Sequence, residues 1–360
     1  MARYDLSQFN PEPEGPKEAM AQGNQTTVTE FILLGFSHLP QLKPLLFVLF
    51  LVMFLITLAG NSLIIFVTVT SSALHTPMYF FLRNLSLLEI CYSLDIVPRL
   101  LVDLLADRRR ISLLACALQL LLILSCGIAE CFLLTVMAFD RYVAICHPLR
   151  YGAFMDPRRC LRVAVGTWMV GVSVSFTFTL WLFSFPFCGR QEVHHFLCDI
   201  SPLLSLVCAD TGVFEAHVLA TTIFVTLVPF TLIAVSYGCI LSAVLGSRLV
   251  SGRSRALSTC MSHLLVVTLF YGTTGVIHLQ PRSSYSPETK ELVSLSYTVV
   301  TPMLNPIIYS LRNEEVRSGA SSQGAQLEFC LASLPCCGSL AASRLDSHQV
   351  DWDLLPRGLS

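Results

Sequence analysis

Seven predominantly apolar stretches, each of about 20 residues or more, follow one another along the chain. They cover 45–69, 78–101, 113–145, 163–187, 213–245, 257–279 and 292–311, the second interrupted by polar groups. A helix of that length crosses the hydrocarbon of a bilayer. Lipid offers no water to the peptide groups, which leaves only helices or a closed barrel. Barrel strands run about ten residues and alternate apolar with polar, and these runs do neither. The pattern predicts an all-α membrane protein, a seven-transmembrane helix bundle with its termini on opposite sides. Composition removes the alternatives: 54% of residues are apolar and only 13% are Asp, Glu, Lys or Arg, too few to clothe a soluble surface. A disordered chain has the opposite balance, and a net charge of −1 excludes a basic nucleic-acid footprint.

The organisation that follows is an N-terminal segment 1–44, a helical bundle 45–311 and a tail 312–360. The N-terminal segment carries Pro11, Pro13 and Pro16 and lacks the basic and apolar regions of a cleavable signal, so the first span itself directs targeting. Asn24-Gln25-Thr26 is a glycosylation sequon, meaningful if this end is outside; Asn84-Leu85-Ser86 also matches but falls within an apolar run on the opposite side. Basic residues near span ends mark the cytoplasmic side. The loop after the third run holds Arg150, Arg158, Arg159 and Arg162 against Asp156, and the loop after the fifth holds Arg248, Arg253 and Arg255. Arg108-Arg109-Arg110, between runs two and three, opposes that assignment. The sequon and a group of cysteines on the N-terminal side settle it: N-terminus outside, C-terminus cytoplasmic. Of fourteen cysteines, most lie inside apolar runs as small hydrophobes, among them Cys91, Cys126, Cys131 and Cys239. Cys116, Cys188, Cys198 and Cys208 are the disulfide candidates on the outer side.

Ionisable groups inside spans are costly and read first as functional. Glu89 and Glu130 lie mid-helix, with Asn61 in run one and Asn305 in run seven. Brought together, the four form either a cation or proton site that senses helix movement, or a hydrogen-bonded packing network with neutral carboxylates. Asp140-Arg141-Tyr142 ends the third run at the cytoplasmic boundary, where an arginine pairs with its neighbour at rest and exchanges partners on switching. Pro229 and Pro306 remove helical hydrogen bonds; with Asn305 and Tyr309 flanking it, Pro306 marks either a hinge or a static bend. No GxSxG, HExxH, P-loop or usable GxGxxG occurs, so no enzyme and no cofactor is expected. Lys290 stands only at the edge of run seven, which leaves a retinal Schiff base no attachment point. His194, His195 and Cys198 resemble metal ligands, but Cys198 serves better in a disulfide, and no metal is expected. A transporter or channel predicts inverted repeats, broken helices or charged pore rings, and the seven runs display none of these.

The motifs resemble those of one family. LHTPMYFFL at 74–82, MAFDRYVAIC at 137–146 and PMLNPIIYSLRN at 302–313 are similar to olfactory receptor signatures, as are EFILLGF at 30–36, RALSTCMSHL at 255–264 and FYGT at 270–273. Agreement runs from about Asn24 to Val316 in family order, and within the family it points to the terrestrial-vertebrate class and its tenth family. The resemblance implies a class A G-protein-coupled receptor that binds small volatile odorants and activates a stimulatory olfactory-type heterotrimeric G protein, raising cyclic AMP, as a multi-pass protein of the plasma membrane. Carried over by position, it implies disulfides Cys116–Cys198 and Cys188–Cys208. It implies a switch of Asp140, Arg141 and Tyr142 completed by Tyr237 and Tyr309, Tyr271 as the helix-six toggle, and Glu89 with Glu130 as paired acids of a buried ion region. The odorant cradle it implies lies in the outer half of the bundle. Ile123, Leu124, Gly127 and Ile128 come from helix three, Thr221, Thr222 and Val225 from helix five, Thr274 and His278 from helix six, and Ile200 caps from the loop.

Two departures stand out. Twenty-three residues precede Asn24, and Met20 lies where the family begins, so an upstream start or an added leader is expected. After Val316 the family continues with a short basic amphipathic helix, whereas here RSGASSQG at 317–324 is a flexible composition, followed by Cys330, Cys336 and Cys337. That tail carries an alternative expectation: a receptor-like chain with impaired signalling.

Overall fold

A computed structural model describes residues 28–36, 39–106, 109–188, 191–246, 250–278 and 287–312, and for 73, 250–259, 275–278, 287–290 and 310–312 it describes the backbone alone. Asn24, Met20, Arg108, Arg248 and the tail cysteines therefore lie outside the described residues.

Seven long helices follow in order: α1 Lys43–Thr70, α2 Pro77–Leu105, α3 Leu113–Cys146, α4 Pro157–Phe183, α5 Gly212–Gly246 and α6 Val250–His278. The last, α7, is assembled from Pro287–Leu295, a π-helical turn Ser296–Val300 and Thr301–Arg312. Five of the seven are long and apolar enough by composition to cross a membrane. The exceptions are α2, which carries Arg83, Glu89, Asp95, Arg99 and Asp103, and α6, whose apolar stretch is the shorter Cys260–Thr274. Prolines in the first turns of α1, α2 and α4 start those helices at no hydrogen-bonding cost, and the Ser112 hydroxyl caps α3 by accepting from the Ala115 N–H at 3.2 Å.

One boundary departs from the apolar pattern. α4 begins at Pro157, well before residue 163, because its first turns carry exposed Arg158, Arg159 and Arg162. Hydropathy sees only the part of a helix that lies in lipid. The same helix ends at Phe183, ahead of Pro186.

α3 is the central element, packing against α2, α4, α5 and α6, while α7 closes the bundle against α1 and α6. Where α4 crosses α3, Gly171 lies so close that a Cβ there would stand 2.5 Å from the Ser125 carbonyl. Burial is inverted on the outside of the bundle. Leu45, Leu55, Phe66, Leu118, Val165, Phe224 and Leu241 are exposed, an apolar exterior that water would not tolerate and lipid does.

One end of the bundle carries the disulfides and a small sheet in the order β2-β1-β3, from Arg110–Ser112, Glu30–Leu33 and Glu192–Val193. β1 is antiparallel to β2, with Glu30 opposite Ser112, and parallel to β3, with Ile32 opposite Glu192. Two of the three arginines that ran against the charge rule, Arg109 and Arg110, find partners here. Arg109 is buried and donates to the Gly35 carbonyl, and Arg110 pairs with Glu30 at 3.3 Å. The Arg110 carbonyl accepts from Arg99, which also pairs with Asp103 at 2.9 Å. These cations staple the chain before α1 to the α2–α3 loop and the end of α2. The opposite end of the bundle is the one that holds Asp140.

Candidate functional site

At the Asp140 end the carboxylate is fully buried and both its oxygens are engaged. Arg141 donates to Oδ2 through Nη2 at 2.7 Å and Nε at 3.2 Å, and the Tyr151 hydroxyl donates to Oδ1 at 2.7 Å. Tyr151 stands in the short helix Tyr151–Phe154 of the loop after α3; burial and the neighbouring Asp140 charge raise its pKa, so it stays a protonated donor. Tyr142 turns to His147, oxygen to Nε2 3.0 Å. One helical turn or two deeper, the Tyr237 hydroxyl of α5 meets His263 Nδ1 of α6 at 2.8 Å, while His263 Nε2 meets the Leu134 carbonyl of α3 at 3.1 Å. A carbonyl only accepts, so Nε2 carries a proton and donates to it. Three helices are joined through one imidazole ring.

Deeper in the bundle, Asn305 of α7 donates to Glu89 Oε1 of α2. Asn61 of α1 donates to the Thr57 carbonyl at 3.0 Å and to the Pro302 carbonyl at 3.4 Å. Glu130 of α3 lies close enough to Glu89 for their charges to interact, and its buried Oε1 has no hydrogen-bond partner among the described residues. The Asn305 Oδ1 and the Tyr309 hydroxyl are likewise buried and unpartnered. Such spare acceptors in a polar core can hold a proton, a cation or water. Tyr271 is buried with its ring 5.4 Å from that of Phe230 across the α5–α6 contact. α7 runs on as helix through Pro306, which packs against Gly60 of α1; its irregular turn lies upstream, at Ser296–Val300.

Towards the disulfide end, Cys116 at the start of α3 is bonded to Cys198, and Cys188 to Cys208. The loop segment carrying Cys198 is also held by Gln119, whose amide oxygen accepts from the Cys198 N–H at 3.0 Å. The described cradle positions are spread over several packing clusters. Ile123 is buried among Phe196, Leu197 and Val299. Leu124 and Ile200 pack on the cluster around the Cys116–Cys198 bond. Ile128 and Val225 join Cys126 and Tyr271 in the central core. Gly127, Thr221, Thr222 and Thr274 are half-buried, and of His278 only the helical backbone is described.

Sequence reading passed over Tyr151, Gln119 and His263. His263 stands within RALSTCMSHL, and a basic ring in an apolar run was the available signal. Tyr151 carried none, since its tie to Asp140 exists only once the loop folds back.

A family model described as olfactory receptor matches residues 50–322. Human olfactory receptor 10A7 is 53% identical over 294 residues, covering 82% of this chain and 93% of its own. Human olfactory receptor 10A5 is 54% identical over 303 residues, covering 84% and 96%, and human olfactory receptor 10C1 is 52% identical over 295, covering 82% and 95%. Among solved structures, the crystal structure of squid rhodopsin aligns with a TM-score of 0.66 at 17% identity, over 81% of this chain and 87% of that one, a likeness of fold.

Proposed function

The chain belongs to the olfactory receptor family, multi-pass plasma-membrane receptors that signal through a heterotrimeric G protein rather than catalyse, and from that premise we propose how this one works. A small, volatile, semi-polar odorant enters the disulfide end, taken as extracellular, and lodges between α3, α5 and α6. Ile123, Leu124, Gly127, Ile128, Thr221, Thr222, Val225, Thr274 and His278 line its cradle and Ile200 caps it. Binding repositions α6 against α3, the His263 contacts yield, and Arg141 leaves Asp140 to meet a stimulatory olfactory-type G protein that raises cyclic AMP. Glu89, Glu130, Asn61 and Asn305 form the cation or proton site that couples α2, α3 and α7 to this change. The N-terminal segment, with a glycan at Asn24, is extracellular and the tail cytoplasmic.

The observation that carries this reading is the closed Asp140–Arg141 pair, 2.7 Å, locked by Tyr151: a charge-assisted contact with a second partner is a two-state element that a ligand can bias. A cyclic-AMP reporter in cells displaying the receptor, screened against an odorant panel beside Arg141→Ala, tests it. Odorant responses that Arg141→Ala abolishes at equal surface display are expected; responses that survive the substitution reject the switch. A second reading, a chain impaired in signalling, rests on the sequence after Val316. Exchanging 318–360 for the ending of a relative would restore surface display and response under that reading and leave both unchanged otherwise.

A further inference from the structure

A cavity of about 310 Å³ opens on the outside of the bundle at the Asp140 end, between α3, α4 and α5. Its lining shares no residue with the proposed odorant cradle. Val136 and Phe139 of α3, Val163 of α4 and Leu232 of α5 give it an apolar wall, and the three last of these are exposed to whatever surrounds the bundle. Among the described residues, Arg159 is the one charged residue that lines it. Its Nη1 donates to the Ala153 carbonyl at 2.5 Å, which leaves most of the guanidinium's five donors free. Arg158 and Arg162 stand beside it, exposed, and among the described residues no carboxylate pairs with any of the three.

An apolar trough on the lipid face takes hydrocarbon. A guanidinium at its edge, Arg159, with exposed Arg158 and Arg162 in the same helical turns, takes an anion, and Arg matches phosphate oxygens in a bidentate fashion. Both demands are met by one molecule whose tail and phosphate are joined. A zwitterionic headgroup brings a cation of its own into the arginine cluster; an anionic one does not. We propose that this groove is a binding site for an anionic glycerophospholipid, with one acyl chain among Val136, Phe139, Val163 and Leu232 and the headgroup phosphate on Arg159. Phe154 and Met155, which also line the groove, share a loop with Tyr151, so the bound lipid steadies the segment that holds Asp140.

Which leaflet supplies the lipid rests on the proposed orientation, but the test does not, because a nanodisc presents the same lipid at both faces. The full-length receptor is placed in nanodiscs of phosphatidylcholine with rising fractions of phosphatidylglycerol, and retained lipid is counted by native mass spectrometry. Retention of phosphatidylglycerol over phosphatidylcholine and a saturating rise in unfolding temperature are expected. Arg159→Gln weakens the apparent affinity about fivefold, the loss expected for one arginine at an anionic lipid surface. Leu232→Trp fills the trough, leaves every charge in place and weakens binding as well. Unfolding in phosphatidylcholine alone checks that each variant folds, and Val163→Trp replaces Leu232→Trp if that one does not. Equal retention of both lipids overturns the proposal. So does a trough-filling variant that binds like the parent while Arg158→Gln, Arg159→Gln and Arg162→Gln weaken binding alike, since that is diffuse attraction to a basic surface.

Discussion

The Tyr237 hydroxyl lies 2.8 Å from Nδ1 of His263, with the two rings stacked 5.7 Å apart, and the far side of the same imidazole reaches the Leu134 carbonyl. A single side chain of α6 is thus bonded to both α3 and α5, in the same structure that has Arg141 on Asp140. His263→Phe keeps the ring volume and removes both bonds. Each net hydrogen bond is worth about 1 kcal/mol, so the equilibrium shifts at least about fivefold toward the open form. Basal cyclic AMP without odorant, normalised to surface display, is expected to rise severalfold; a normal display level with basal signal unchanged or lowered contradicts the pin.

Asp140→Asn tests the neighbouring contact. The substitution removes the charge that holds Arg141 but leaves an amide oxygen for the Tyr151 hydroxyl. Bonds to charged groups contribute about 1.5–3 kcal/mol, so a larger rise in basal signalling is expected than for Tyr151→Phe, which removes one donor and leaves the ion pair. Concentration–response curves for the two variants and the parent, read in one reporter line, decide the order. A Tyr151→Phe effect equal to that of Asp140→Asn would place the lock in the loop instead of the ion pair.

The seven spans were legible because lipid imposes a simple rule, one apolar stretch per crossing, and the first, third and fifth helices follow it within a few residues. The rule fails where a helix leaves the lipid. Nothing in hydropathy extends α4 back to Pro157 through three arginines. The structural role of Arg109 and Arg110 was hidden for the same reason in reverse: their partners, the Gly35 carbonyl and Glu30, sit about eighty residues earlier, and only the folded segment around β1 brings them together. Asn305 and Glu89 could be placed in one polar group from the sequence, with Asn61 and Glu130, because each is a costly polar group in an apolar run. The cradle positions are apolar or small, and nothing in their chemistry separates a ligand contact from packing; Ile123, Leu124 and Ile128 accordingly fall in three different clusters.

Gly35 joins the chain before α1 to the loop that carries the Cys198 disulfide. A Cβ at this position would overlap the backbone of Phe196, while the Gly35 carbonyl accepts from buried Arg109 and the next N–H, at Phe36, donates to Glu291 at 3.3 Å. Backbone cannot give way as a side chain does. Gly35→Ala is expected to cost about 1–3 kcal/mol as an overpacked contact and to lower the unfolding temperature and surface display. Gly246→Ala, where a Cβ meets none of the described residues, is the control. Parental stability in Gly35→Ala would mean that the loop shifts freely and the β1 segment does not clamp it.

The same loop supplies a pH dependence. His195 is buried, its ring stacked 4.7 Å from that of Phe196, and its Nδ1 accepts from the Leu197 N–H. Burial lowers its pKa below the ordinary 6.5, with the Asp199 charge opposing. A protonated ring would also turn Nδ1 into a donor facing a donor. The folded state therefore binds this proton less readily than the unfolded chain. The stabilisation is fully present above the unfolded pKa and is lost as pH falls through it toward the folded value, with a slope of at most about 1.4 kcal/mol per pH unit. Unfolding temperatures of the detergent-solubilised receptor, taken between about pH 7.5 and pH 5, are expected to fall more steeply for the parent than for His195→Gln. Parallel curves would show that the proton reaches His195 without disturbing the fold, and that the loop over the disulfide end opens more easily than its packing requires.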